Sequence, residues 1–427
     1  MRQYSPVSAL CPAMFLVALF TFSFLFVSTQ TAEATSQWSR KYKTPCTTCH
    51  TVFPRLNYYG EQFKRNGYQD PDTEEPDGNK LKKNINKNMV IDRVSNLFGF
   101  RLNVTPIKVQ ENKLKQAGET KTKTTIGDAN WIQLFVAGSV FKNVSFFTEM
   151  QFEDEKFHFS WWSLGFHNIF KTKAINFTIG NVSPLDYGSH SNRLRIFAPI
   201  KNAVYNIKTA NGTGDDSLGV SGYRPAIQYF GYGGPVVWWA GVSPGSKAGD
   251  ANDKLFSWAG VRLEVTGDSE SNFEGSSVTL WGFQGDDGRN IEATDTSSAL
   301  FRTSTSNRYQ AAGNLRYQSL DIQAAYVWGD DEDGDLTTEA RDKFEFNGVA
   351  VQAGYFIDSK WYPAVSYDLV EIDAGSGSKV TAHSITPALS YLVMENFRAG
   401  LYVTLDLNDE EGYTKSNTYL INLRTMF

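Results

Sequence analysis

Cys46-Thr47-Thr48-Cys49-His50 places two thiols two residues apart and an imidazole directly after the second. Thiols at this spacing can take thioether bonds from the vinyl groups of one haem, and the adjacent imidazole can then reach the iron as proximal ligand. A thioredoxin-type dithiol would need a βαβ pattern around it, and a zinc site would need further ligands at comparable spacing. Neither explains a His placed directly after the second Cys. The only other cysteine, Cys11, lies in an N-terminal segment expected to be removed. The chain is therefore expected to carry one covalent haem c on Cys46, Cys49 and His50, and with it redox chemistry.

That N-terminal segment runs from Met1 and Arg2 through the apolar stretch Ala13–Val27 to Ala32-Glu33-Ala34, a small-x-small cleavage pattern. The apolar run falls short of the roughly twenty residues that a helical membrane span needs. Residues 1–34 read as a signal peptide, so the mature protein is expected to be exported. Its cysteines are then the haem pair alone, and packing and hydrogen bonds must hold the rest. Acidic residues number 46 against 41 basic ones, a balance that argues against nucleic acid as a partner. Aromatics make up 14% of the chain and glycines number 35, while the mean hydropathy is −0.36. Average polarity with abundant aromatics and glycine suits an outer-membrane barrel in contact with lipid, in which one face of every strand is polar.

The hydrophobic pattern has period two. Phe397, Ala399, Leu401, Val403, Leu405 and Leu407 alternate with Arg398, Gly400, Tyr402, Thr404 and Asp406. The division recurs with Leu255, Val261, Leu263 and Val265 against Trp258, Arg262 and Glu264, and again over Val349–Ile357. Short turns such as Lys142-Asn143, Gln318-Ser319, Asp358-Ser359 and Met394–Asn396 alternate with longer polar connections: Thr105–Gly127, Val182–Gly222, Asp286–Ser304 and Asp330–Asp342. Single-chain outer-membrane barrels have short periplasmic turns and longer external loops in this way. The last strand presents Tyr419, Ile421, Leu423, Thr425 and Phe427 on one face and ends the chain on Phe. The predicted architecture is an all-β outer-membrane barrel of about 16 antiparallel strands over residues 89–427. Charged residues on the inward face, such as Arg262, Glu264, Arg316, Arg398 and Asp406, are expected to be a salt-bridged lining.

Residues 35–88 form the monohaem cytochrome c segment and a linker, partly helical, and lie near the ~40-residue lower limit for a chain that builds its own core. Pro54, Leu56 and Phe63 are candidates to pack on the haem, but so few apolar side chains cannot cover both of its faces. The segment is therefore predicted to plug the barrel lumen, entering from the periplasmic side. The distal ligand has three candidates: Met89 at the start of the first expected strand, His167 near a periplasmic turn, and His190 in the longest external loop. Acidic clusters at Asp330–Asp335 and Asp409–Glu411 suit hard cations by ligand type and read first as solvated loops.

The run from Cys46 through Pro54, Leu56-Asn57, Gly60, Phe63 and Gly67-Tyr68 resembles the fused monohaem cytochrome-porins of the outer membrane. The match covers residues 46–68; beyond them the likeness is one of architecture, length and the terminal Phe. The resemblance implies oxidation of extracellular iron(II) and conduction of the electron to periplasmic c-type cytochromes, in the outer membrane of a Gram-negative bacterium. Two other readings stay open: a diffusion porin with a structural haem plug, and an electron conduit for another extracellular donor or acceptor.

Overall fold

The computed structural model describes residues 36–71, 82–86, 89–92, 94–114, 119–141, 143–153, 156–191, 195–197, 200–205, 222–244, 254–267, 271–291, 300–333, 343–373, 379–408 and 414–427. The expected signal peptide, most of the linker and the Asp409–Glu411 cluster lie outside the described residues.

Sixteen antiparallel strands close into a barrel. In chain order they are β5 (Phe98–Leu114), β6 (Glu119–Phe141), β7 (Val144–Glu153), β8 (Lys156–Phe166), β9 (Asn176–Val182), β10 (Arg224–Gly233), β11 (Val236–Ser243), β12 (Phe256–Glu264), β13 (Ser277–Ile291), β14 (Leu300–Tyr317), β15 (Leu320–Asp331), β16 (Phe344–Tyr355), β17 (Trp361–Asp373), β18 (Lys379–Met394), β19 (Phe397–Asp406) and β20 (Thr414–Met426). Each strand pairs with its chain neighbours, and β20 pairs with β5 to close the ring. Closure leaves no unpaired edge, the condition a sheet must meet to sit in lipid. The alternation follows the sequence: Leu401, Leu263 and Leu280 face outward and are exposed, while Arg398, Tyr402, Trp258 and Arg262 face inward and are buried.

The barrel starts at Phe98 and not at Met89. Met89–Asp92 (β4) pairs instead with Lys82–Asn86 (β3) in a separate two-stranded hairpin, and a 3₁₀ turn at Val94–Asn96 separates it from β5. Two expected loops are largely strand. Most of Thr105–Gly127 continues the β5–β6 ladder out to Leu114 opposite Glu119, and most of Asp286–Ser304 continues β13–β14 out to Ile291 opposite Leu300. Thr120–Lys123 are exposed and hydrophilic, and a hairpin standing in water needs its backbone ladder but no apolar face.

Among the described residues, two segments enter the lumen. One is the connection after β9: Leu185, Val204 and Tyr205 are buried against inward-facing Trp239, Phe344 and Phe346. The other is the N-terminal segment, built from α1 (Gln37–Tyr42), a 3₁₀ turn (Cys46–Thr48), β1 (His50–Val52), β2 (Arg55–Leu56) and α2 (Tyr58–Arg65).

Candidate functional site

Helix α2 is held against the Cys-x-x-Cys-His turn by two close contacts. Asn57 caps the helix by accepting from the Gly60 N–H (2.9 Å), and its amide donates to the Thr47 and Thr48 carbonyls, each at 3.0 Å. One residue thus supplies an N-cap and a tie to the motif. Gly60 lies so near the motif that a Cβ there would stand 2.1 Å from the Cys49 carbonyl oxygen. Backbone cannot swing aside as a side chain can. Gly60→Ala should therefore push α2 off the motif at a cost of about 1–3 kcal/mol. Denaturant unfolding of the purified protein should register that loss.

Tyr58, Glu61 and Arg65 share one buried face of α2, and the barrel wall receives them with opposite charges. Glu61 pairs with Arg316 (2.7 Å), with Arg262, and with Arg55 of its own segment (3.4 Å). Arg65 makes a bidentate pair with Glu264, both contacts at 3.0 Å, and Tyr58 donates to the same carboxylate at 3.3 Å. Arg55 grips Asp321 at 2.9 and 3.2 Å. Burial opposes ionisation of Glu61, yet Arg262, Arg316 and Arg55 outweigh it and hold the carboxyl well below its ordinary value. Arg262, Glu264 and Arg316 were expected to pair among themselves as a lining; they also dock the plug. Sequence reading missed the plug's own Arg55, Glu61 and Arg65; the only signal was charge on a segment too small to fold alone, with Glu61 and Arg65 on one helix face.

The motif faces a cavity between the N-terminal segment and the barrel wall. Cys46, Cys49 and His50 line it with Val52, Phe53 and Phe63 of the plug and with Phe397, Arg398, Arg424 and Met426 of the wall. Both thiols are free and half-buried. Burial pushes Cys49 up to about 12 and raises Cys46 as well. Burial thus disfavours the thiolate that dithiol exchange needs. Among the described residues, no group of three or more His, Cys, Asp or Glu side chains converges to hold a metal ion.

His50 Nδ1 donates to the Arg55 carbonyl (3.3 Å), which leaves the Nε2 lone pair for a ligand. Burial pushes the imidazole down to about 4, so it stays in the neutral form that binds metal. Arg398 and Arg424 stand directly opposite each other on β19 and β20, 5% and 4% exposed. Like charges directly opposite destabilise a sheet. Nε and Nη1 of Arg424 have no hydrogen-bond partner, and its guanidinium lies 4.9 Å from the centre of the Phe53 ring. The cavity therefore offers two thiols, a neutral imidazole, apolar walls and a buried pair of cations. A haem c needs these same partners for its vinyl groups, iron, ring and two propionates.

Of the predicted packing residues, Phe63 lines the cavity; Pro54 and Leu56 are not among its lining, and Val52 and Phe53 take their place. Arg316 donates to the Leu56 carbonyl at 2.9 Å. His167 is not in the cavity: its Nε2 is 2.7 Å from Ser145 Oγ, and its ring packs where a Cβ on Gly67 would collide with it. His190 has folded into the lumen with its loop, but its Nδ1 is engaged with Tyr205 Oη at 2.5 Å, also away from the cavity. The side chain of Met89 lies outside the described residues. Asp331, from the acidic loop, is instead a buried partner of Arg308 (2.8 Å).

No protein-family model matches the chain, and no curated protein does. Solved structures do. An anion-selective porin from Comamonas acidovorans aligns over 77% of this chain and 99% of its own, with a TM-score of 0.56 and 10% identity. A loop-deletion mutant of OmpT, an outer membrane protein of Vibrio cholerae, aligns over 77% and 99%, with a TM-score of 0.52 and 14% identity. The barrel has the outer-membrane porin fold. Neither alignment spans the whole chain, and at these identities the likeness is one of fold alone.

Proposed function

We propose that this chain is an outer-membrane c-type cytochrome-porin that oxidises extracellular iron(II) at a single haem c and passes the electron to a periplasmic c-type cytochrome. The carrying observation is the cavity that collects Cys46, Cys49, His50 and the Arg398–Arg424 pair between a docked plug and the barrel wall. Haem bound there supplies a one-electron carrier, reduced as each iron(II) becomes iron(III) and reoxidised as the periplasmic cytochrome is reduced. Cys46 and Cys49 would hold it covalently, His50 would ligate its iron, and Arg398 and Arg424 would hold its carboxylates. Val52, Phe53 and Phe63 would keep water from the ring.

The cavity is at the end of the barrel that bears the short turns. The Cys46 N–H donates to Glu395 Oε2 at 3.2 Å, and Glu395-Asn396 is the two-residue turn between β18 and β19. Short turns face the periplasm in this class of barrel, so delivery is to that side. Burial of the inward face speaks against the diffusion-porin reading. Trp239, Gln228, Arg308 and Gln310 point inward and are at most 1% exposed, whereas an open aqueous lumen would wet them.

The test is to express the protein in a host that matures c-type haem and add iron(II) to intact cells. Prompt appearance of the reduced-haem absorption is expected. Haem that dithionite reduces and iron(II) leaves ferric would eliminate iron as donor and favour another donor or acceptor.

A further inference from the structure

We infer that Met426, the residue before the C-terminus, supplies the second axial ligand of the haem iron, an inference that rests on covalent haem at Cys46 and Cys49. Apart from the motif itself, Met426 is the only sulfur- or imidazole-bearing side chain among the described residues that line the cavity. Its place there follows from strand parity. On β20, Asn422, Arg424 and Met426 share the inward face, and Asn422 and Arg424 are buried, while the terminal Phe427 points outward and is exposed.

The backbone around Met426 is held from both sides. Its N–H donates to the Asn396 carbonyl (3.0 Å), the Asn396 amide donates to the Met426 carbonyl (2.9 Å), and Met426 registers opposite Arg101 on β5. Phe427 and Phe100 exchange backbone hydrogen bonds at 2.7 and 2.9 Å, so the strand does not fray before its last residue. The half-buried thioether packs against the cluster of Phe135 and Phe147 together with Trp38 and Tyr68. A soft sulfur on a flexible, apolar side chain is a good haem ligand, and Met opposite His raises the reduction potential. Docking the plug would thus complete the haem site, because the last strand, the β18–β19 turn and the plug meet there.

The test is optical and electrochemical and uses the full-length haem protein. Ferric wild type should show the weak long-wavelength charge-transfer absorption of a thioether–iron bond. Met426→Leu, similar in size and polarity, should keep its covalent haem, lose that absorption and show a lower midpoint potential. Met426→His should instead give a bis-imidazole spectrum, and serves as the second variant if the Leu protein assembles poorly. Met89→Leu should behave as wild type. A charge-transfer absorption that is missing from wild type, survives Met426→Leu or vanishes in Met89→Leu would overturn the assignment. Absence of covalent haem from wild type would overturn the haem reading itself, a separate and visible failure.

Discussion

Glu61→Ala is expected to undock the plug from the barrel wall. The substitution removes the carboxylate that sits among Arg55, Arg262 and Arg316, all of them buried. Deleting one partner of a buried pair costs about 3–5 kcal/mol, because the charges left behind are neither solvated nor matched. Arg55 keeps Asp321 and Arg262 keeps Glu264, whereas Arg316 loses its only carboxylate among the ion pairs of the described residues. A protease added from the periplasmic side should cut the variant within residues 36–71. Equal protection would mean that these pairs do not hold the plug. The pH dependence has a definite sign. A carboxyl held below its unfolded value stabilises the docked state fully above the ordinary carboxylate range, and that contribution declines as pH falls below this range and is lost once pH passes the lower, folded value. Wild-type docking should therefore be firm at neutral pH and weaken progressively on acidification below the ordinary carboxylate range.

Replacing both Cys46 and Cys49 with Ser should abolish covalent haem and, with it, iron(II) oxidation, down to the level of cells without the protein. The barrel itself should survive. Its ladder from β5 to β20 makes no use of either thiol, and each removed side chain is half-buried and small. Heat-modifiable migration on gels measures assembly, and haem absorbance measures the loss. Iron oxidation that continued at the wild-type rate would mean that the electron takes another route.

How much of this was legible in the chain depended on the range of the interaction. The haem motif is five consecutive residues, and its spacing carries the chemistry. Strand alternation is also local, which is why the inward parity of Arg398, Trp258 and Arg262 was read correctly. The start of the barrel was misplaced because Met89–Asp92 shows no local feature that separates a lone hairpin from a barrel strand. Partners across the lumen were beyond local reading: Arg55 and Asp321 are 266 residues apart. The same limit hid Met426, which the terminal strand turns inward while the neighbouring Phe427 draws notice as an outward anchor. Period-two parity does place Met426 with Arg424, but only closure of the barrel brings that face to His50. Trp238 and Trp239 illustrate a further limit, since adjacent aromatics leave open which one fills the lumen. The structure puts Trp239 inside, with its Nε1–H donating to the Pro184 carbonyl at 2.7 Å.

The central claim is passage of an electron across the membrane through one haem. Its most direct test reconstitutes the protein into liposomes that hold ferric cytochrome c inside and adds a membrane-impermeant iron(II) complex outside. The account predicts reduction of the trapped cytochrome by wild type and none by the Cys46→Ser, Cys49→Ser protein. Reduction at equal rates by both, or by neither, would contradict it.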